Sequence, residues 1–256
     1  MIYFYKNDFH EDHVRLNVQG PAFKFGFGFF ETLFYNQKKV CHLEAHLTRL
    51  LSSLETFSVP YQRVDFESVI QEVLYQNGLL DDFARINIYY FLDSDTAASS
   101  PLIAAARYSP APDKTYRLLI SPNHLHTYLS SHKTMNYMYY YLERALALQK
   151  GFDDALITNN REHVLEASTA SLLFSDGIKF YSPASKYKLP GTSTAVARSV
   201  IDIKEEVINL DNLPSFKHVY ILNSLIGMKP VIQIDDLKFE PEYKTCRLVS
   251  EKILFP

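Results

Sequence analysis

The chain has 256 residues but only 8 glycines and 2 cysteines. Cys41 and Cys246 stand far apart, so neither a disulfide framework nor a CxxC metal pattern is present, and a reducing cytoplasm is the expected setting. The glycines form no P-loop. Gly26-Phe27-Gly28 lacks the third glycine of a dinucleotide fingerprint. No apolar run approaches the roughly 18–20 residues needed to span a bilayer. The first residues lack the basic stretch and apolar run of a signal peptide. The formal net charge is -3 without any block of like charge, which leaves no basic stripe for nucleic acid. Neither GxSxG nor HExxH occurs. His124, His126 and His132 share one polar loop, but no carboxylate or cysteine spacing makes them a metal site, so no metal is expected.

What is present is apolar and aromatic: 47% of residues are hydrophobic and 14% aromatic. That supports a sizeable core in one large or two modest domains. Residues 2–5 read as a strand and 7–13 as a polar turn. Runs 29–35 and 40–43 read as a hairpin around Asn36-Gln37-Lys38-Lys39. Leu43, Leu47, Leu50, Leu54 and Phe57 recur on one helical face, ended by Val59-Pro60. Asp65 is placed to cap a second helix, and Asn77-Gly78 to end it. Strands are expected at 85–92 and 102–108, around a polar loop. Pro110, Pro112 and Asp113 suggest a linker, giving an α+β N-terminal domain over 1–112 and a β-rich domain over 113–256. In the second half the pattern predicts a strand at 116–120 and a helix over about 136–150 capped by Gly151. Hairpins are expected at 155–158 with 163–167 and at 172–174 with 179–181. A helix over 192–202 and late strands at 218–223 and 230–234 complete the reading.

The candidate chemistry lies in 132–174 and its neighbours. Lys133-Thr134-Met135-Asn136-Tyr137 leads into the helix, and Gly151-Phe152-Asp153-Asp154-Ala155-Leu156 follows it. Val164-Leu165-Glu166-Ala167-Ser168 and Leu189-Pro190-Gly191-Thr192-Ser193 come later. Taken singly, each residue has a bland reading: Lys133 and Arg49 as surface charges, Glu166 as a hairpin charge, Tyr137 as core packing among Tyr139, Tyr140 and Tyr141. Together the segments resemble the class IV (fold type IV) pyridoxal-phosphate enzymes, which include branched-chain and D-amino-acid aminotransferases and aminodeoxychorismate lyases. Phe25-Gly26-Phe27-Gly28-Phe29-Phe30-Glu31-Thr32-Leu33 is similar to that family's "FGDGvFET" segment, and His46-Leu47-Thr48-Arg49-Leu50 to its "HLxRL". The matches run in family order over almost the whole chain.

The resemblance implies a two-domain fold: an N-terminal α/β sandwich and a C-terminal β-barrel-like domain with helices. It implies pyridoxal 5'-phosphate as cofactor and a homodimer. Lys133 would bond to the cofactor aldehyde through its amine and then move the substrate proton; lysine suits both tasks because burial and a nearby cation lower its pKa. Glu166 would face the pyridine nitrogen and Tyr137 the ring's phenolic oxygen. Arg49 would meet the phosphate, with Gly191, Thr192, Ser193 and Thr194 as a helix-start cradle and Ser168 and Thr169 as further donors. Three positions depart from the pattern: Phe27 replaces an aspartate, Ser171 an asparagine, and Thr194 the arginine of "GITR". For the reaction, Asn223-Ser224-Leu225-Ile226-Gly227-Met228-Lys229-Pro230-Val231 is similar to the lyases' "NSLMGxxPV". Thr32 stands where the lyases carry a threonine near the reacting carbon, and Phe34 where branched-chain enzymes carry an arginine. The resemblance therefore favours an aminodeoxychorismate lyase forming 4-aminobenzoate, a folate precursor, and pyruvate. A branched-chain or D-amino-acid aminotransferase is the alternative. A catalytically idle cofactor-binding or structural homologue is the alternative from another class.

Overall fold

A computed structural model describes residues 1–93 and 98–256. The chain divides into two compact units: Met1–Pro110 with His132–Asn136, and Ala111–Ser131 with Tyr137–Pro256. The short segment carrying Lys133 thus belongs with the N-terminal residues, whereas a single division at 112/113 keeps it with the C-terminal ones.

Among the described residues the first unit contains β1 (Ile2–Tyr5), β2 (Asp8–Glu11), α1 (Pro21–Phe25), β3 (Gly28–Asn36), α2 (Leu43–Thr56), α3 (Phe66–Gln76), β4 (Phe83–Phe91) and β5 (Leu102–Arg107). The strands form one antiparallel sheet in the order β2-β1-β5-β4-β3. Alternation sends Phe29, Leu33, Ile86 and Ile88 to one face, where they bury with Leu47, Leu50 and Leu54 of α2 and Ile70, Val73 and Leu74 of α3. This is the expected sandwich of a sheet and a helical layer. Asp65 caps α3 as read, accepting from the Ser68 amide, and Gly78 takes φ +64° just past its end.

Two local readings need correction. Residues 8–11, taken as turn, pair with β1. Lys6 and Asn7 both adopt positive φ, the requirement of a tight two-residue hairpin, so a polar segment becomes an edge strand. The hairpin at 40–43 reduces to a single bridge from Val40 to Tyr35, because Leu43 already opens α2. The polar loop after β4 falls partly outside the described residues.

In the second unit come β6 (Tyr116–Ile120), α4 (Met138–Gln149), β7 (Asp154–Thr158), β8 (Val164–Ala167), β9 (Ser171–Ser175), β10 (Phe180–Pro183), α5 (Thr192–Arg198), β11 (Ile203–Glu206), β12 (His218–Asn223), β13 (Gly227–Ile234), β14 (Leu237–Lys238) and α6 (Tyr243–Leu254). The strand order is β11-β10-β9-β12-β13-β6-β7-β8, with β14 beside β13. β8 also approaches β9 and β10, so this mixed sheet curls back on itself. Leu118, Leu156, Val164, Leu172, Phe174, Val219, Ile221 and Val231 fill its core. α5 stops at Arg198, shorter than expected. α6 adds a helix that sequence reading missed; Cys246, Val249, Ile253 and Leu254 bury along it.

Candidate active site

Lys133 sits on a backbone rail along the edge of the first sheet. The Phe30 amide donates to Lys133 O at 2.9 Å, and the Met135 amide to Gly28 O at 2.8 Å. Gly28 permits this approach: a Cβ there would lie 2.6 Å from both Met135 Sδ and Tyr90 O. Gly26 supplies a second requirement, a left-handed C-cap at φ 64°. The glycines of the Phe25–Phe29 stretch therefore act by conformation and space, and Phe27 between them does not disturb either role. The Lys133 ammonium stands 4.6 Å from the centre of the Phe30 ring, a favourable cation–π placement. Thr32 shares that face, two residues on along β3. Its hydroxyl accepts from Asn87 Nδ2 at 2.8 Å.

Glu31 points the other way, into the helical layer, and is fully buried. Arg49 meets it with two parallel bonds of 2.7 Å, from Nε and Nη2. His46 Nδ1 lies 2.7 Å from its second oxygen. Burial opposes the charge on Glu31, but the Arg49 charge and the bonds from His46 and Arg49 outweigh it and lower the pKa to about 2. Burial lowers the His46 pKa despite Glu31, so His46 is a neutral donor here. The "HLxRL" spacing explains the geometry: residues three apart on α2 face the same side, and both side chains reach one carboxylate. His132 Nδ1 lies 2.9 Å from Ser53 Oγ on the same helix, and its ring meets Phe57 edge-on at 4.9 Å. Burial lowers its pKa.

In the second unit Glu166 is a buried side chain of β8, not an exposed hairpin charge. Tyr140 Oη donates to its Oε1 at 2.9 Å, and the Leu189 amide approaches Oε2 at 3.3 Å. Burial, with the Glu166 charge, raises the Tyr140 pKa and keeps it a donor. Tyr137 precedes α4, stacks on Tyr140 at 4.7 Å, and donates to Ser168 O at 2.8 Å. The Ser168 and Thr169 hydroxyls, expected as phosphate donors, both donate instead to Asp154. Asp154 is a buried carboxylate at the start of β7 whose pKa burial raises. Gly191 precedes α5, and Ser193 and Thr194 are buried in its first turn. A Cβ at Gly191 would press on Ser171 Oγ and Thr194 Oγ1. Thr194 Oγ1 is buried and has no hydrogen-bond partner among the described residues. Asn223 folds the β12–β13 turn by accepting from the Leu225 and Ile226 amides, and its Nδ2 donates to Thr169 O at 3.1 Å.

The expected residues thus fall into two sets. Lys133, Thr32 and Arg49 lie in the first unit, with Arg49 on the helical side of the sheet and Thr32 on the other. Tyr137, Glu166, Ser168, Thr169, Gly191, Thr192, Ser193 and Thr194 lie in the second. The sequence assigns no site role to Glu31, His46, Tyr140 or Asp154, which appear only within motifs or as core, nor to Asn87. For Glu31 the signal was available, a lone acid alternating with apolar residues in a strand; Asn87 and Asp154 carry none without their partners.

A family model described as "Amino-transferase class IV" matches residues 28–234. Among curated proteins, the aminodeoxychorismate lyase of Vibrio harveyi is 24% identical over 250 residues, covering 89% of this chain and 90% of that protein. Among solved structures, the branched-chain aminotransferase of Thermoproteus uzoniensis with norvaline aligns at a TM-score of 0.89 and 18% identity, over 99% of this chain and 95% of the other. The branched-chain aminotransferase of Escherichia coli aligns at 0.85 and 16%, over 98% and 92%. A further branched-chain amino acid aminotransferase, complexed with N-(5'-phosphopyridoxyl)-L-glutamate, aligns at 0.87 and 19%, over 98% and 92%.

Proposed function

The chain belongs to the class IV aminotransferase family, and from that premise we propose that it is an aminodeoxychorismate lyase, converting 4-amino-4-deoxychorismate to 4-aminobenzoate and pyruvate. It is an enzyme of the pyridoxal-phosphate type. The residues present fit that cofactor. Thr194 holds a buried hydroxyl with no hydrogen-bond partner among the described residues, which a phosphate oxygen would satisfy. Glu166 is sealed in β8 with Tyr140 and the Leu189 amide beside it, a carboxylate suited to a protonated ring nitrogen.

When bound, pyridoxal phosphate supplies an electron sink for the pair left by a departing substrate proton. Lys133 would hold the cofactor through its amine and, once the substrate amine has displaced it, would be free to accept that proton. Arg49 would supply positive charge for the phosphate, and Gly191, Thr192, Ser193 and Thr194 would supply helix-start donors. Tyr137 supplies a phenolic donor. Ser168 and Thr169 act through Asp154, which fastens the backbone just after Glu166. A second copy of the chain is part of this reading: Met138, Tyr141, Leu142 and Leu148 expose one apolar stripe of α4 that a homodimer would cover.

The observation that carries the lyase reading is Thr32, a hydroxyl on the same face of β3 as the Lys133 amine. Phe34, two residues further on, is fully buried and stacked on Phe83, an apolar side chain where the resemblance places the arginine of branched-chain enzymes. The similarity to the Vibrio harveyi lyase supports it. The test is to supply 4-amino-4-deoxychorismate and follow 4-aminobenzoate and pyruvate. Formation of both in equal amounts is expected; amine exchange between amino acid and keto acid with no 4-aminobenzoate assigns the enzyme to the aminotransferases. Among the described residues no helix is long and apolar enough to cross a membrane.

A further inference from the structure

Asn87 faces Thr32 directly across the β3–β4 pair. Its Nδ2 is 2.8 Å from Thr32 Oγ1 and 3.3 Å from the backbone oxygen of Glu31. A carbonyl oxygen can only accept, so the atom facing it must be the amide nitrogen. The orientation of the Asn87 amide is thereby settled by chemistry, and the two hydrogens of its NH2 serve Glu31 O and Thr32 Oγ1. A hydroxyl that accepts from an amide turns its own hydrogen elsewhere. The Thr32 hydrogen is therefore not directed at the Asn87 nitrogen, and the hydroxyl lies on the sheet face where the Lys133 ammonium overlies Phe30. On that face Phe30 pairs with Tyr89 and stacks on it at 5.9 Å.

We propose that Asn87 is a positioning residue that makes the Thr32 hydroxyl a hydrogen-bond donor toward an oxygen of the substrate. This rests on the reading of Thr32 as a substrate-facing hydroxyl. Without Asn87, that hydroxyl rotates among donors and acceptors and presents its hydrogen only part of the time. With an aspartate at 87 its polarity reverses, because a carboxylate accepts the Thr32 hydrogen itself.

A double-mutant cycle tests this on the full-length enzyme loaded with cofactor. Asn87→Asp is expected to lower kcat about tenfold, the rate equivalent of one hydrogen bond, with cofactor absorbance retained. Asn87→Ser, uncharged and smaller, is expected to lower it less, and serves if the aspartate variant fails to fold. In a Thr32→Val background either change at 87 should have no further effect on kcat, since no hydroxyl remains to orient. Equal losses in both backgrounds overturn the proposal. Nuclear magnetic resonance gives a readout independent of turnover: Thr32→Val should shift the Asn87 side-chain amide and speed its exchange with water, and an unmoved amide overturns the assignment. The wild-type product decides the lyase reading separately, so a wild type that only exchanges amines defeats that reading while the amide spectrum still judges Asn87.

Discussion

Glu31 and Asp154 are both sealed from water, at 0% and 1% exposure, one in each unit. Glu31 is held by a cation: Arg49 grips both its oxygens and His46 adds a bond. Asp154 is held by neutral donors, the Ser168 and Thr169 hydroxyls and the Ala155 amide. Burial pushes both pKa values up; at Glu31 the Arg49 charge and the bonds from His46 and Arg49 outweigh it and bring the pKa down to about 2, whereas at Asp154 the neutral donors do not and the pKa stays raised. The difference separates two kinds of positioning. The first unit builds a charge-locked anchor on α2 that sets how Arg49 is presented. The second uses a carboxylate as a hydroxyl clamp, which ties down the chain beside Glu166 without adding a paired charge.

The comparison breaks most sharply at Glu31. Glu31→Gln leaves Arg49 and His46 facing a neutral amide in a dry layer. It is expected to destabilise by about 3–5 kcal/mol, the usual effect of breaking a buried pair from one side, as read by urea unfolding. Asp154→Asn is expected to destabilise less than half as much, because the surrounding hydroxyls can turn to accept.

Glycine substitutions sharpen the same contrast in the backbone. Gly28→Ala drives a methyl into Tyr90 O and the Lys133-bearing segment. It should cost about 1–3 kcal/mol, as overpacking does, and lower turnover by displacing Lys133. Gly191→Ala meets mainly the Ser171 and Thr194 hydroxyls, and its φ of -70° suits alanine. Its stability loss should be smaller, and its main effect weaker cofactor retention, measured by dialysis.

The pH dependence gives the smallest signals, of opposite sign. A carboxylate with a lowered pKa contributes stability that is present above the ordinary carboxyl range and lost as pH falls toward its folded value. The Glu31 contribution should thus vanish between about pH 4.5 and about 2, and Glu31→Gln should flatten that arm of the curve. A raised pKa acts the other way: the Asp154 contribution is greatest below the ordinary range and is lost as pH rises through it. Asp154→Asn should remove that decline. Urea midpoints measured against pH test both.

The fold and the site were unequally legible in the sequence. Periodicity located α2 and α3, because each alternates a buried stripe with polar residues over three turns or so; α4 was read with its Gly151 stop, since only Glu143 and Ala147 are buried along it. It missed α6, although Cys246, Val249 and Ile253 recur there at helical spacing, so that signal was available. It misread residues 8–11, whose pairing depends on the backbone of Lys6 and Asn7 and not on side-chain pattern. In the site, Lys133 and Glu166 were readable only through the ordered motifs around them. The partners of Thr32 and Ser168 were not readable. Asn87 is 55 residues from Thr32 and Asp154 is 14 from Ser168, and such pairs exist only once the strands have been registered.

The central claim, that Lys133 carries the cofactor, has a direct measurement. Protein loaded with pyridoxal phosphate is treated with borohydride, digested and weighed by mass spectrometry. The wild type is predicted to show a yellow absorbance that bleaches and a phosphopyridoxyl mass on the peptide containing Lys133, both lost in Lys133→Ala. An unchanged absorbance in that variant, or the adduct on another lysine such as Lys188, would contradict the account.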